Sequence, residues 1–274
     1  MAVKLKTLIK NGMVVAPGAF NAASAMLIEK AGFQAVYVSG AGLSNSCGLP
    51  DTGLLTRQGV ARLSSCIINA VNIPAIVDAD TGFGGPAEVK KTVKTFEAIC
   101  ASAIQLEDQV PQKRCGHLPG KRVITARAFA EKIRAAVAAR KNRDFLIIAR
   151  TDARGVAGLN DAVARAKLYV EAGADVIFPE ALETQEEFLC FAKSLKGAPL
   201  MANMTEFGKT PYLTVKDFKR MGYSIVIFPV TAFRAAMKAA ETAMNELKNK
   251  GTQRGLLKKM LTRAELYELL KYKM

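Results

Sequence analysis

The chain has 274 residues, half of them apolar, which is enough to bury a large core in one or two domains. No apolar run reaches the ~18 residues of a spanning helix, and the basic start MAVKLKTLIKNG lacks the apolar stretch and cleavage site of a signal peptide. A cytoplasmic, non-membrane protein is expected, and its net charge of +15 reads as a solvated basic surface, because no basic run interleaved with aromatics and no nucleic-acid motif accompanies it.

In chain order, short runs rich in β-branched residues predict strands near Val14–Pro17, Ala35–Ser39, Ala75–Asp78, Ala103–Glu107, Phe145–Ala149, Asp175–Phe178, Pro199–Ala202 and Ser224–Phe228. Several follow an amphipathic stretch that ends in Gly, as in EKAGFQAVYVSG, EAGADVIFPEA and KRMGYSIVIFPV, with CASAIQLEDQ a weaker copy. Gly suits the left-handed position that ends a helix, and the apolar run suits a strand buried on both faces. Between the strands, Phe129, Ile133 and Val137 share one helical face, as do Leu159, Val163, Ala166 and Val170. Thr184 with Glu187, and Thr214 with Asp217, have the spacing of helix-start capping boxes. Eight alternating units predict one (β/α)8 barrel domain over residues 1–274, with 231–274 a largely helical C-terminal region engaged in subunit contacts. A doubly wound open sheet is the structural alternative.

The predicted strands run into polar residues: Ser39, Asp78 and Asp80, Glu107 and Asp108, Arg150 and Asp152, Glu180, Asn203 and Thr205, and Thr231. One such residue is usually a loop cap, but seven strands ending alike outline the mouth of a barrel, where active sites lie. The carboxylates of Asp78, Asp80, Glu107, Asp108 and Glu180 would repel one another unless a cation sits among them. A hard divalent ion, Mg²⁺ or alternatively Mn²⁺, fits an all-oxygen site with one or two direct carboxylates. Asp78 and Asp80 are the candidate pair, and the TGFGGP segment after them lacks the phosphate-loop pattern. Lys113, Arg114, Arg150, Arg234 and Arg263 are candidate anion clamps, with Arg150 placed to grip a carboxylate bidentately. The five cysteines contain no C-x-x-C pair and read as reduced thiols, four of them as small buried apolar groups. Cys115 stands apart, between Lys113-Arg114 and Gly116-His117, where positive charge is expected to lower a thiol pKa. It reads as a nucleophile, a general acid or a redox-sensitive thiol. His117 is the only histidine, which excludes His-rich zinc sites.

The segments YVSGAG, GLPDTG, VDADTGFG, LEDQ, KRCGH, ARTDA, FPEA, ANMTEFGKTP, FPVTAFRA and TRAELYE follow one another across nearly the whole chain. In this order they resemble the 2-methylisocitrate lyase branch of the isocitrate lyase/phosphoenolpyruvate mutase superfamily, with KRCGH and VDADTGFG its specific marks. The resemblance implies a β/α barrel, often a homotetramer that exchanges C-terminal helices, and cleavage of a small tricarboxylate into pyruvate and succinate. It implies that Asp78 and Asp80 hold Mg²⁺, with Asp51, Glu107 and Asp108 acting through the ion's waters. Ser39, Gly40, Ala41, Cys115, Gly116, Arg150, Glu180, Asn203, Thr205, Arg234 and Arg263 are implied to contact the substrate. Cys115 is the implied proton donor and Tyr37 the candidate base. Phe178, Ile227 and Pro229 are expected to wall the extra methyl group that separates methylisocitrate from isocitrate.

Two features depart from this pattern. Gln105 stands where many relatives carry His before the acidic pair, and the chain stops soon after LLKYK, where many continue by a further helix. The rival readings are another superfamily activity, on oxaloacetate, phosphonopyruvate or isocitrate, and, from a different class, a basic nucleic-acid-binding protein.

Overall fold

In the computed structural model, which describes residues 4–272, every apolar run predicted as a strand is one. The strands are β1 (Val14–Ala19), β2 (Val36–Val38), β3 (Ala75–Asp78), β4 (Ala103–Glu107), β5 (Leu146–Thr151), β6 (Val176–Pro179), β7 (Met201–Asn203) and β8 (Ile225–Phe228). All are parallel, β1 pairs with both β2 and β8, and the ring closes where Ile177 N donates to Pro199 O at 2.9 Å beside the Ile177–Leu200 bridge. The architecture is therefore a (β/α)8 barrel. An open doubly wound sheet is excluded by the β1–β8 pairing and the β6–β7 closure.

The helices are α1 (Leu5–Asn11), α2 (Ala22–Lys30), α3 (Gly40–Ser46), α4 (Arg57–Ile68), α5 (Pro86–Ala98) and α6 (Ala126–Ala139). They continue as α7 (Arg154–Ala157), α8 (Leu159–Glu171), α9 (Gln185–Ser194), α10 (Val215–Arg220), α11 (Thr231–Lys250) and α12 (Arg263–Leu269). Helix starts are set locally. Thr184 accepts from Glu187 N at the head of α9, and Thr214 with Asp217 forms a reciprocal capping box on α10.

Strand alternation sorts the apolar side chains into two shells. Ile76, Ala103, Leu146, Ile148, Val176, Met201 and Ile225 fill the barrel, while Val77, Ile104, Ile147, Ile177 and Val226 meet the helices. Leu5, Leu8 and Ile9 of α1 pack on the inner shell, so the N-terminal segment plugs the end of the barrel opposite the polar strand termini. At the other end of the chain α11 buries no side chain. It leaves Met237, Met244 and Leu247 exposed beyond an edge-on Phe20–Phe233 contact. The cysteine expectation needs correction, because Cys47, Cys66, Cys100 and Cys190 are unpaired but exposed rather than buried.

Candidate active site

The same alternation decides which polar side chains enter the barrel. Continuing each strand's inward positions in steps of two reaches Tyr37 and Ser39, Asp78 and Asp80, Gln105 and Glu107, Arg150 and Asp152, Glu180, Asn203 and Thr205. Asp108 lies one step out of phase and faces the helices. It accepts from Thr151 Oγ1 at 2.8 Å, Asp152 N at 2.9 Å and Tyr169 Oη at 2.8 Å, with Arg165 Nη1 3.4 Å away. Its expected place around the metal is thus corrected to a structural junction between β5 and α8.

One cavity at the C-terminal ends of the strands gathers Tyr37, Ser39, Ala41, Asp51, Asp78, Cys115, Gly116, Arg150, Glu180, Asn203, Thr205 and Arg234. Phe178, Ile227, Pro229 and Val230 supply an apolar side. Asn45 and His117 also line it and were not nominated from the sequence. Arg263 lies exposed on α12 and does not line the cavity within one chain.

Gly40 donates its N–H to Asp78 Oδ2 at 3.3 Å, and a Cβ there would stand only 2.9 Å from that oxygen and 3.5 Å from Asp80 Oδ1. A bare backbone at this point keeps the space before the two carboxylates clear. Burial and the charge of Asp80 push the Asp78 carboxyl up to about 6. Glu107 is fully buried, neither of its oxygens accepts a hydrogen bond, and burial holds its carboxyl well above the ordinary range. Among the described residues no group of three or more His, Cys, Asp or Glu side chains forms a metal cage. Two carboxylates, a clear space and an orphaned buried carboxylate behind them instead match a hydrated Mg²⁺, which keeps several waters and takes few direct ligands.

The cations are arranged differently from the sequence expectation. Lys113 is spent on the acids, with Nζ 2.6 Å from Asp80 Oδ1 and also bound to Asp51. Burial would lower its pKa, but the carboxylates of Asp80, Glu107 and Asp51 raise it well above the usual value. Arg114 is exposed and reaches only Pro119 O, at 3.4 Å. Arg150 gives its bidentate fork to Asp152, with Nε to Oδ2 at 2.9 Å and Nη2 to Oδ1 at 3.1 Å. Its Nη1 lies 3.3 Å from Glu180 and 3.5 Å from Glu107, so this edge is the one turned to the inner carboxylates. Lys121 closes the pair from behind, 2.9 Å from Asp152 Oδ1.

Glu180 is the hub of the opposite wall. Its oxygens accept from Ala181 N at 2.8 Å and from Asn203 Nδ2 at 3.2 Å, and His117 Nε2 lies 3.0 Å away. Burial raises its pKa, yet Arg150 and His117 outweigh that and hold the carboxyl well below its ordinary value. Lys209 N donates to His117 Nδ1 at 3.1 Å, which leaves the ring proton on Nε2, facing Glu180. The imidazole thereby ties the KRCGH loop after β4 to the TEFGK loop after β7. Gly116 fits beneath it only because it lacks a side chain, since a Cβ would meet Glu180 Cγ at 2.4 Å and Arg150 Nη2 at 2.6 Å.

Cys115 reverses its sequence expectation. Neither neighbouring cation faces the thiol. Burial pushes its pKa up, and the Asp51 and Glu180 charges add to this against a His117 backbone hydrogen bond and Arg150. The thiol is therefore held protonated, which suits a proton donor and not a resting thiolate. Tyr37 lines the cavity as expected. Its hydroxyl donates to Gln105 Oε1 at 2.6 Å, and burial with the Asp78 charge raises its pKa well above the usual value, which favours the protonated phenol.

The phosphoenolpyruvate phosphomutase family model matches residues 5–248. A 2-methylisocitrate lyase of Aeropyrum pernix is 56% identical over 96% of this chain and 84% of its own length. Among solved structures, 2,3-dimethylmalate lyase superposes with a TM-score of 0.92 at 38% identity, covering 97% of this chain and 90% of that one. A phosphonopyruvate hydrolase in complex with oxalate and Mg²⁺ superposes at 0.88 with 34% identity, covering 97% and 93%. The chain belongs to the 2-methylisocitrate lyase family of the phosphoenolpyruvate mutase/isocitrate lyase superfamily.

Proposed function

We propose that this protein is a Mg²⁺-dependent lyase that cleaves 2-methylisocitrate to pyruvate and succinate. The observation that carries the proposal is that the Cys115 thiol, whose pKa burial raises, lines the same cavity as Asp78 and Arg150. A bound Mg²⁺, held by Asp78 and Asp80, would polarise the substrate's hydroxyl and adjacent carboxylate and offset charge on the departing oxo acid.

The chain's own residues perform the remaining tasks. The Nη1 edge of Arg150, the Asn203 amide, Thr205, Arg234 and the head of α3 at Ser39–Ala41 hold the carboxylates. The hydroxyl proton passes to the inner carboxylates, of which Glu107 has both oxygens free of hydrogen bonds. The bond between the hydroxyl-bearing carbon and its neighbour breaks, and its electron pair stays on the succinate half. Cys115 Sγ gives its proton to that carbon, and the proton taken from the hydroxyl returns the thiolate to the thiol. Phe178, Ile227 and Pro229 receive the methyl group, which is worth about 1–3 kcal/mol of discrimination against isocitrate.

The unpaired cysteines support a reducing cytoplasm, and the exposed apolar residues of α11 support a homotetramer. A coupled assay tests the reading. Pyruvate release from 2-methylisocitrate is expected to need Mg²⁺ and to outpace glyoxylate release from isocitrate. Equal or faster glyoxylate release overturns the substrate assignment.

A further inference from the structure

Gln105 does not itself line the cavity but lies fully buried between two residues that do, Tyr37 and Asp78. Its Oε1 accepts from Tyr37 Oη at 2.6 Å and its Nε2 donates to Asp78 Oδ1 at 3.2 Å. The network favours one sense of the amide while Asp78 is ionised. Reversed, its carbonyl oxygen would oppose the Asp78 carboxylate, acceptor against acceptor. With the sense fixed, the Tyr37 proton is committed to the protein, and the face of the phenol oxygen that lines the cavity carries only lone pairs.

We propose that Gln105 is a specificity-determining positioning residue: by fixing Tyr37 as a hydrogen-bond acceptor toward the cavity, it selects a 2-hydroxy acid over the 2-oxo acid of the same skeleton. In the bound ground state a ligand hydroxyl donates to the phenol oxygen, before its proton passes to the inner carboxylates in the reaction. An oxo group there sets two acceptors against each other in a buried place, which costs the affinity of an unmade hydrogen bond. The inference deepens the lyase reading and rests on its placement of the hydroxyl beside Asp78. It also weakens the hold on the pyruvate product, which carries an oxo group where the substrate carries a hydroxyl.

Lactate and pyruvate differ only at this position and separate the possibilities without turnover. Their dissociation constants, measured by ligand-observed NMR on the intact protein with Mg²⁺, are expected to favour lactate about tenfold. In Gln105→Leu the phenol is free to turn its proton toward an oxo group, so the ratio is expected to fall to about one. Tyr37→Phe, which removes the acceptor itself, is expected to abolish the preference as well and keeps the test decisive should the leucine variant not fold. Pyruvate binding as tightly as lactate in the unmodified protein overturns the inference, as does a preference that survives in either variant. Failure of both acids to bind with Mg²⁺ overturns the lyase reading instead.

Discussion

Replacing Asp108 with Ala separates a structural carboxylate from a metal-site one. The side chain is fully buried and accepts from Thr151 Oγ1, Asp152 N and Tyr169 Oη, all at 2.9 Å or less. Truncation leaves the Asp152 N–H without its acceptor, at about 1–3 kcal/mol for a buried orphan, and deprives two hydroxyls and Arg165 of theirs. Arg165 keeps its 2.6 Å contact with Asp161, which limits the loss. A total of about 4 kcal/mol corresponds to a Tm lower by roughly 8–16 °C for a chain of this size. Burial already raises the Asp108 pKa, so the uncharged Asp108→Asn variant is expected to lose only about 1 kcal/mol. Circular dichroism melts and Mg²⁺ titration calorimetry on both variants check this. An unchanged Tm with weakened Mg²⁺ binding would refute the outward placement and return Asp108 to the metal site.

Further outcomes follow from the KRCGH loop. Cys115→Ser is expected to lower kcat about 10²–10⁴-fold while product affinity stays within about threefold, and kcat near that of the unmodified protein would remove the proton-donor role. Because burial raises the Cys115 pKa, thiolate is scarce at neutral pH. Alkylation of the tryptic peptide 115–121 should therefore reach half its maximal rate at a higher pH than a free thiol, and a lower midpoint would contradict a thiol held protonated by burial. Gly116→Ala places a Cβ 2.4 Å from Glu180 Cγ, so the loop must shift. We expect kcat/KM to drop about 100-fold with Tm nearly unchanged; unaltered kinetics would show that the loop does not seat on Glu180 during turnover.

The barrel was legible because its strands are buried on both faces and so read as unbroken apolar runs. Asp78, Glu107 and Arg150 were legible for the same reason, as polar residues that interrupt such runs. Asp108 shows what adjacency alone misses. The period-two rule already places it on the opposite face from Glu107, and applying that rule residue by residue would have excluded it. The same rule marks Asp152, two positions beyond Arg150, as the arginine's partner. Cys115 failed in a different way: its sequence neighbours are basic, but Lys113 turns to Asp51 and Asp80 while Arg114 faces solvent. Contacts such as His117 with Glu180, or Tyr37 with Gln105, join strands and loops more than sixty residues apart and carry no local signal. The plug formed by α1 was hidden because its basic residues mask the apolar face of Leu5, Leu8 and Ile9.

The most direct test of the proposed lyase is proton NMR of the protein incubated with 2-methylisocitrate and Mg²⁺ in D₂O. Equimolar pyruvate and succinate are expected, the succinate carrying one deuterium delivered by the exchanged Cys115 thiol, with no turnover once EDTA is added. Glyoxylate from isocitrate at an equal or greater rate, or succinate formed without deuterium, would contradict it.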